Sequence, residues 1–129
     1  MSYSASELAV LLGTGPRNFT PIVGEYYNAG STGGALTLTR ADGDTTALAA
    51  TERVIVLAFH FHLGTAGIGG IYFDLATDVY VCRGSFAANG GVSLEGLWVG
   101  QVNGPPTCVT SASGDIAATI SGFVQERAA

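Results

Sequence analysis

The run Arg53-Val54-Ile55-Val56-Leu57-Ala58-Phe59-His60-Phe61-His62-Leu63 decides how this chain folds. Residues of one kind recur in it at every second position. That is the period of a β-strand, whose successive side chains point to opposite faces of a sheet. One face carries Ile55, Leu57, Phe59, Phe61 and Leu63 and reads as core. The other carries Val54, Val56, Ala58, His60 and His62. A strand this long belongs in the middle of a sheet, so its second face must also meet something. That face holds no carboxylate, arginine or lysine, and interface cores are depleted in such groups. Val54, Val56, Ala58, His60 and His62 are therefore the expected subunit interface.

The same period extends outward from this strand. Leu36 and Leu38 alternate with Thr37 and Thr39, and Asp42-Gly43 is a hairpin-type turn. Glycines fill 64–70 and predict a turn. Ile71, Phe73 and Leu75 then alternate with Tyr72 and Asp74, and Val79 and Val81 with Tyr80 and Cys82. Asn89-Gly90-Gly91 marks another turn before a strand over 92–102, and Gly104-Pro105-Pro106 breaks the chain. A short strand near Cys108, a turn at Ser113-Gly114-Asp115, and a last strand with Ile116, Ala118, Ile120 and Val124 facing inward complete the pattern. Seven or eight short strands with regular turn signals predict an all-β fold, a jelly-roll-like β-sandwich or barrel. Before it, Ser4 and Glu7 fit a capping box, and Leu8, Leu11 and Leu12 share one helical face. Gly13-Thr14-Gly15-Pro16 should stop that helix, which is too short to persist without something to pack on. Residues 1–33 thus read as an N-terminal arm, a helical turn followed by an irregular or extended stretch, and 34–129 as the sandwich domain.

Composition narrows the function classes. The 129 residues suit a single domain. Charged residues make up 12%, lysine is absent, and the net charge is −5. Ordinary soluble proteins carry roughly 25% charged residues, so this surface must be small, neutral or apolar, the kind that ends against a partner. Nucleic-acid binding needs a basic stripe, and the sequence has none. No run reaches the ~20 apolar residues of a membrane helix. The first residues lack a charged secretory n-region, so synthesis in a cytoplasm is expected and the Asn18-Phe19-Thr20 sequon is read as chance. Cys82 and Cys108 pair only if their strands are neighbours; in a reducing compartment they are two small buried hydrophobes.

Chemical motifs fall short of a reaction. His60 and His62 share a strand face and could grip one metal, but no carboxylate follows before Asp74 and no third histidine exists. The glycines of 64–70 lack the lysine and following helix of a phosphate loop. Gly91-Val92-Ser93-Leu94-Glu95-Gly96 misses the nucleophile-elbow spacing by one residue, although a triad assembled in space is invisible to spacing. Asp42, Asp44, Asp74 and Asp78 are too scattered for a calcium loop, and the first two are turn formers. Trp98, Tyr72 and Tyr80 could stack on a sugar; Trp98 beside Gly96 and Gly100 more simply plugs the core. The expected protein is not an enzyme and carries no cofactor or catalytic metal.

The stretch Ala87-Ala88-Asn89-Gly90-Gly91-Val92, the Gly96 to Trp98 neighbourhood, and the closing Gly114-Asp115-Ile116 and Gly122-Phe123-Val124 resemble tailed-bacteriophage head-decoration, or cement, proteins over roughly residues 33–126. The resemblance is one of strand rhythm and turn chemistry. It implies a jelly-roll module that sits as a homotrimer on the virion, on the capsid surface, against the major capsid protein, after synthesis in the host cytoplasm. Jelly rolls of this kind also serve as phage tail or receptor-binding, carbohydrate-binding modules. The alternative from another class is a small jelly-roll metal protein or enzyme.

Overall fold

A computed structural model describes residues 3–12 and 19–126. The expected helix stop at 13–16 and the sequon's Asn18 lie outside them. Helix α1 spans Ala5–Leu12. Its capping box forms as the spacing predicts: the Glu7 amide donates to Ser4 Oγ and the Ser4 amide to Glu7 Oε1, both at 3.2 Å. Seven antiparallel strands follow: β1 (Phe19–Ala35), β2 (Thr37–Arg40), β3 (Glu52–Leu63), β4 (Gly67–Asp74), β5 (Val79–Phe86), β6 (Gly90–Val99) and β7 (Thr107–Glu126).

The architecture is all-β and sandwich-like. One layer runs β2-β1-β7-β3-β6. The first residues of β7, 107–110, instead pair with β4, which pairs with β5. Gly33, Gly34 and Ala35 at the end of β1 follow β7 into that second layer opposite Val109, Cys108 and Thr107. Two long strands thus pass through both layers and join them. Between the layers lie Leu38, Val56, Phe59, Phe61, Leu63, Ile71, Phe73, Ile116, Ala118, Ile120 and Val124, all buried. The inner positions expected on the last strand are among them.

Five expectations are corrected. The stretch up to residue 33, read as an irregular or extended arm, is strand β1 of the sheet, because Ile22 and Tyr26 pack on the core and its backbone pairs with β7 and, over 22–25, also with β2. The turn expected at 113–115 is instead a register shift within one continuous strand, β7. Asp42-Gly43 does turn, with the Gly43 amide on the Arg40 carbonyl at 2.8 Å and φ 86°, but the chain then runs to β3, which lies three strands from β2. The glycines read as a turn over 64–70 enter β4 at Gly67, where the strand is squeezed between β5 and β7; a Cβ on Gly70 would stand 2.0 Å from the Cys82 carbonyl oxygen.

The fifth correction concerns β3. Val56 pairs with Gly122 and Ala58 with Ser121, so Leu57 is an extra residue, a β-bulge. A bulge reverses the inside–outside alternation beyond it. Before it, Val54 and Val56 face the main core; after it, Phe59, Phe61 and Leu63 do. Ile55 and Leu57 point the other way and are buried under α1 with Leu8, Ala9 and Phe19. Gly122 permits this crossing: a Cβ there would sit 1.9 Å from the Ile55 carbonyl oxygen.

Candidate functional site

The bulge divides the five residues expected at the subunit interface. Val54 and Val56 are fully buried in the chain's own core and offer no surface. Ala58 and His62 are half-buried and His60 is exposed, all on the outer face of the five-stranded layer. Strand register assembles the rest of that face. Thr39, Val23, Ser121, Ala58 and Glu95 form one row across β2, β1, β7, β3 and β6. Thr37, Glu25, Thr119, His60 and Ser93 form the next, and Tyr27, Ala117, His62 and Gly91 a third. Val23, Glu25, Thr119 and Ser121 were not singled out in the sequence. For Val23 and Glu25 the signal is the alternation of Pro21, Val23, Glu25 and Tyr27 with Ile22, Gly24 and Tyr26, obscured by the glycine-rich end of the same stretch.

Small side chains leave this face hollow. Val23, Ala58, Phe59, His60, Thr119, Ile120 and Ser121 line a shallow depression of about 300 Å³. A second, of about 400 Å³, continues it toward Tyr3, Leu57 and Phe123 at the foot of α1. Its groups are mostly uncharged. Glu95 lines the second depression and Glu25 stands one row further along β1, and the nearby carboxylate of Asp115 holds the exposed Tyr27 phenol above its ordinary value.

The structure brings His60 and Ser93 together, with Nδ1 2.5 Å from Oγ. A serine and a histidine are two of the three members of an acyl-transfer triad, a pairing that spacing alone did not reveal. The pair stands on two neighbouring strands of the outer face, with Ala58 and Glu95 beside it in the next row. His60 and His62 stand about 7 Å apart along β3. Among the described residues no three or more His, Cys, Asp or Glu side chains are grouped as a metal would need.

The other candidates resolve into structure. Trp98 packs edge-on to Phe59, centroids 5.1 Å apart, against the main core. Tyr72 is buried beside the exposed Tyr80. Asp42 and Asp44 accept backbone amides within their own turn. Asp74 binds Thr77, Gln101 and the Ala76 amide, and those donors hold its carboxyl below the ordinary range. Asp78 takes a positive φ and lies 3.9 Å from Arg83. Cys108 and Cys82 both sit opposite Ile71, one on each side of β4. Two strand spacings, about 10 Å, exceed the reach of a disulfide. Both thiols are free, and burial pushes each above its usual value. No helix among the described residues is long and apolar enough to cross a membrane.

Comparison with family models, with curated proteins and with solved structures returned no match.

Proposed function

We propose that this chain is a viral structural protein, a capsid-decoration protein that binds the assembled phage head as a trimer and stabilises it. The observation that carries the reading is the outer face just described. Five strands present a flat, hollowed surface of Ala, Ser, Thr and His, with apolar Val23 and Tyr27 exposed at 45% and 69%. Such a surface on a rigid β module suits repeated contact between subunits better than solvent. The resemblance to cement proteins adds the partner, the major capsid protein, and the ring of three. The mechanism is mass action: a protein that binds only the assembled shell stabilises it by the free energy of binding, and a lattice repeats that contact many times.

Intact particles purified from infected cells test this by mass spectrometry and by melting of the shell. The expected result is a fixed, high copy number of this chain per particle and a lower shell melting temperature in particles made without it. Particles that lack the chain, or that melt identically without it, refute the proposal.

A further inference from the structure

One dipeptide occurs twice in the same kind of turn, and the fold anchors the two occurrences differently. Asn89-Gly90 closes a turn over 87–90 between β5 and β6, and Asn103-Gly104 a turn over 101–104 between β6 and β7. In each, the glycine amide donates to the carbonyl three residues back, Gly90 to Ala87 at 2.9 Å and Gly104 to Gln101 at 3.0 Å. Each asparagine holds the third position of its turn at positive φ, 57° for Asn89 and 58° for Asn103, a conformation that glycine and asparagine accept. Both asparagines are exposed.

An asparagine followed by glycine carries its own reaction. The glycine nitrogen, which no neighbouring side chain shields, loses its proton and attacks the carbonyl carbon of the asparagine side chain. A carbon–nitrogen bond closes a five-membered succinimide, and the side-chain amide nitrogen leaves with a proton as ammonia. Water then adds to one of the two ring carbonyls and opens the ring, leaving aspartate or isoaspartate. In both turns the attacking nitrogen is donating to a turn carbonyl, so it must leave that carbonyl before it can swing onto its own asparagine. The folded-state rate is therefore the unfolded-chain rate multiplied by the fraction of time that the turn is open.

We propose that Asn89 is a site of spontaneous deamidation, set by opening of the turn over 87–90, and that the native fold protects Asn103. Anchoring carries the distinction. Among the described residues, the turn over 87–90 is tied to the body by the Asn89 amide on the Gly64 carbonyl, at 3.2 Å. It joins β5 and β6, each the outermost strand of its layer, where fraying begins. A Cβ on Gly90 would find its nearest atoms in Ala87, within the turn itself. The segment 100–106 is stitched down along its length. The Gly100 amide donates to the Val54 carbonyl and the Asn103 amide to the Glu52 carbonyl, both at 2.8 Å. Gln101 Nε2 donates to Asp74 Oδ2 at 2.9 Å, and the Leu36 amide to the Pro106 carbonyl at 3.0 Å. Gly104 and Pro106 are buried, and a Cβ on Gly104 would stand 3.3 Å from the Phe73 carbonyl oxygen.

The product changes more than a label. Either acid adds a negative charge to a chain whose net charge is −5. Isoaspartate also lengthens the main chain by one carbon at the start of β6, where Gly90 pairs with Leu63 and Gly91 with His62. This chemistry does not rest on the decoration reading and is followed in the free protein, so the two succeed or fail separately.

Peptide mapping by mass spectrometry, with aspartate and isoaspartate resolved, follows both sites in freshly purified protein kept in warm, mildly alkaline buffer. One sample stays folded and one is unfolded in urea, which gives each site its own rate without the fold. Measured against those rates, Asn89 in the folded protein should be at least about tenfold less protected than Asn103, the ratio set by a difference of about 1.4 kcal/mol in opening free energy. Gln101→Ala removes the bond to Asp74 from an exposed position. It should speed conversion of Asn103 about two- to tenfold, the worth of one hydrogen bond, and leave Asn89 unchanged. Equal or reversed protection of the two sites, an Asn89 that stays intact over many half-lives of the unfolded sample, or an Asn103 indifferent to Gln101→Ala overturns the proposal.

Discussion

The reversal of β3 at Leu57 makes a prediction that separates its two faces energetically. Leu57 packs under α1 with Leu8, which is wholly buried, whereas Phe59 lies in the main core against Trp98. Truncating Leu8 or Leu57 to alanine should cost about 2–5 kcal/mol, toward the lower end because a short helix can settle into the space. Phe59→Ala should cost about 3–5 kcal/mol, including about 0.5–1.5 kcal/mol for its edge-to-face contact with Trp98. Once Leu8 is gone, Leu57 has already lost part of its cover, so the Leu8/Leu57 double-mutant cycle should show a coupling of about 1–2 kcal/mol, within the range for residues in contact. The Leu8/Phe59 cycle should close to within about 0.5 kcal/mol, as for independent sites. Urea unfolding gives all four corners. A domain of this size holds only about 5–15 kcal/mol, so the cycles are run in sulfate, which strengthens burial without changing contacts. Coupling of Leu8 with Phe59 as large as with Leu57 means that the two residues share a face and that the bulge reading is wrong.

Other consequences are simpler to read. Gly122→Ala should destabilise by at least about 1–3 kcal/mol, because its methyl meets the Ile55 carbonyl inside the bulge; a variant that melts like wild type refutes that crossing. Phe59→Ala should lower the melting temperature far more than His60→Ala, whose exposed ring makes one bond to Ser93; equal losses contradict the inward placement of Phe59. Arg40 grips both oxygens of Glu52 at 2.9 and 3.0 Å and holds that carboxyl below its usual value. The unfolded chain therefore takes up this proton first, near pH 4.3, and stability falls as pH drops through the window below that value. Arg40→Gln should cost about 1–3 kcal/mol at pH 7 and flatten the acid limb of the stability curve, and an unchanged limb argues against the pair. Thiol titration after denaturation without reductant should count two free cysteines; a bonded pair contradicts the row Cys108–Ile71–Cys82.

Much of this fold was legible because burial writes a period of two into each strand. Phe59, Phe61, Leu63, Ile71, Phe73, Ile116, Ala118, Ile120 and Val124 are inside as their alternation predicts. What was hidden was the change of phase. A bulge adds one residue and inverts everything on one side of it, and four consecutive buried residues, Val54 to Leu57, read alike in either phase. Its trace was Gly122 in the partner strand, which carries no meaning until the pairing is known. β1 was obscured for a related reason. Its last third is glycine, serine and threonine, residues that signal a loop, but the strand persists there because β7 bends with it. The candidate face suffered from both: two of its five expected residues, Val54 and Val56, lie inside the core, and Val23, Glu25 and Tyr27 sit on the stretch read as irregular or extended.

The two long strands that pass through both layers also set the order in which a nascent chain can fold. β7 is the last described strand to leave the ribosome, yet β1, β3 and β4 all take it as a neighbour. Some 70 residues separate the end of β1 from the start of β7, about 4–14 s of synthesis at about 5–20 residues per second. Through that interval β1 and β3 carry open edges and a half-covered apolar face, with partners far away in sequence, the conditions for slow folding and for sticking to other chains. Translation speed over the second half of the message, and the chaperones that meet it, should therefore govern the yield of folded protein more than any substitution on the finished surface.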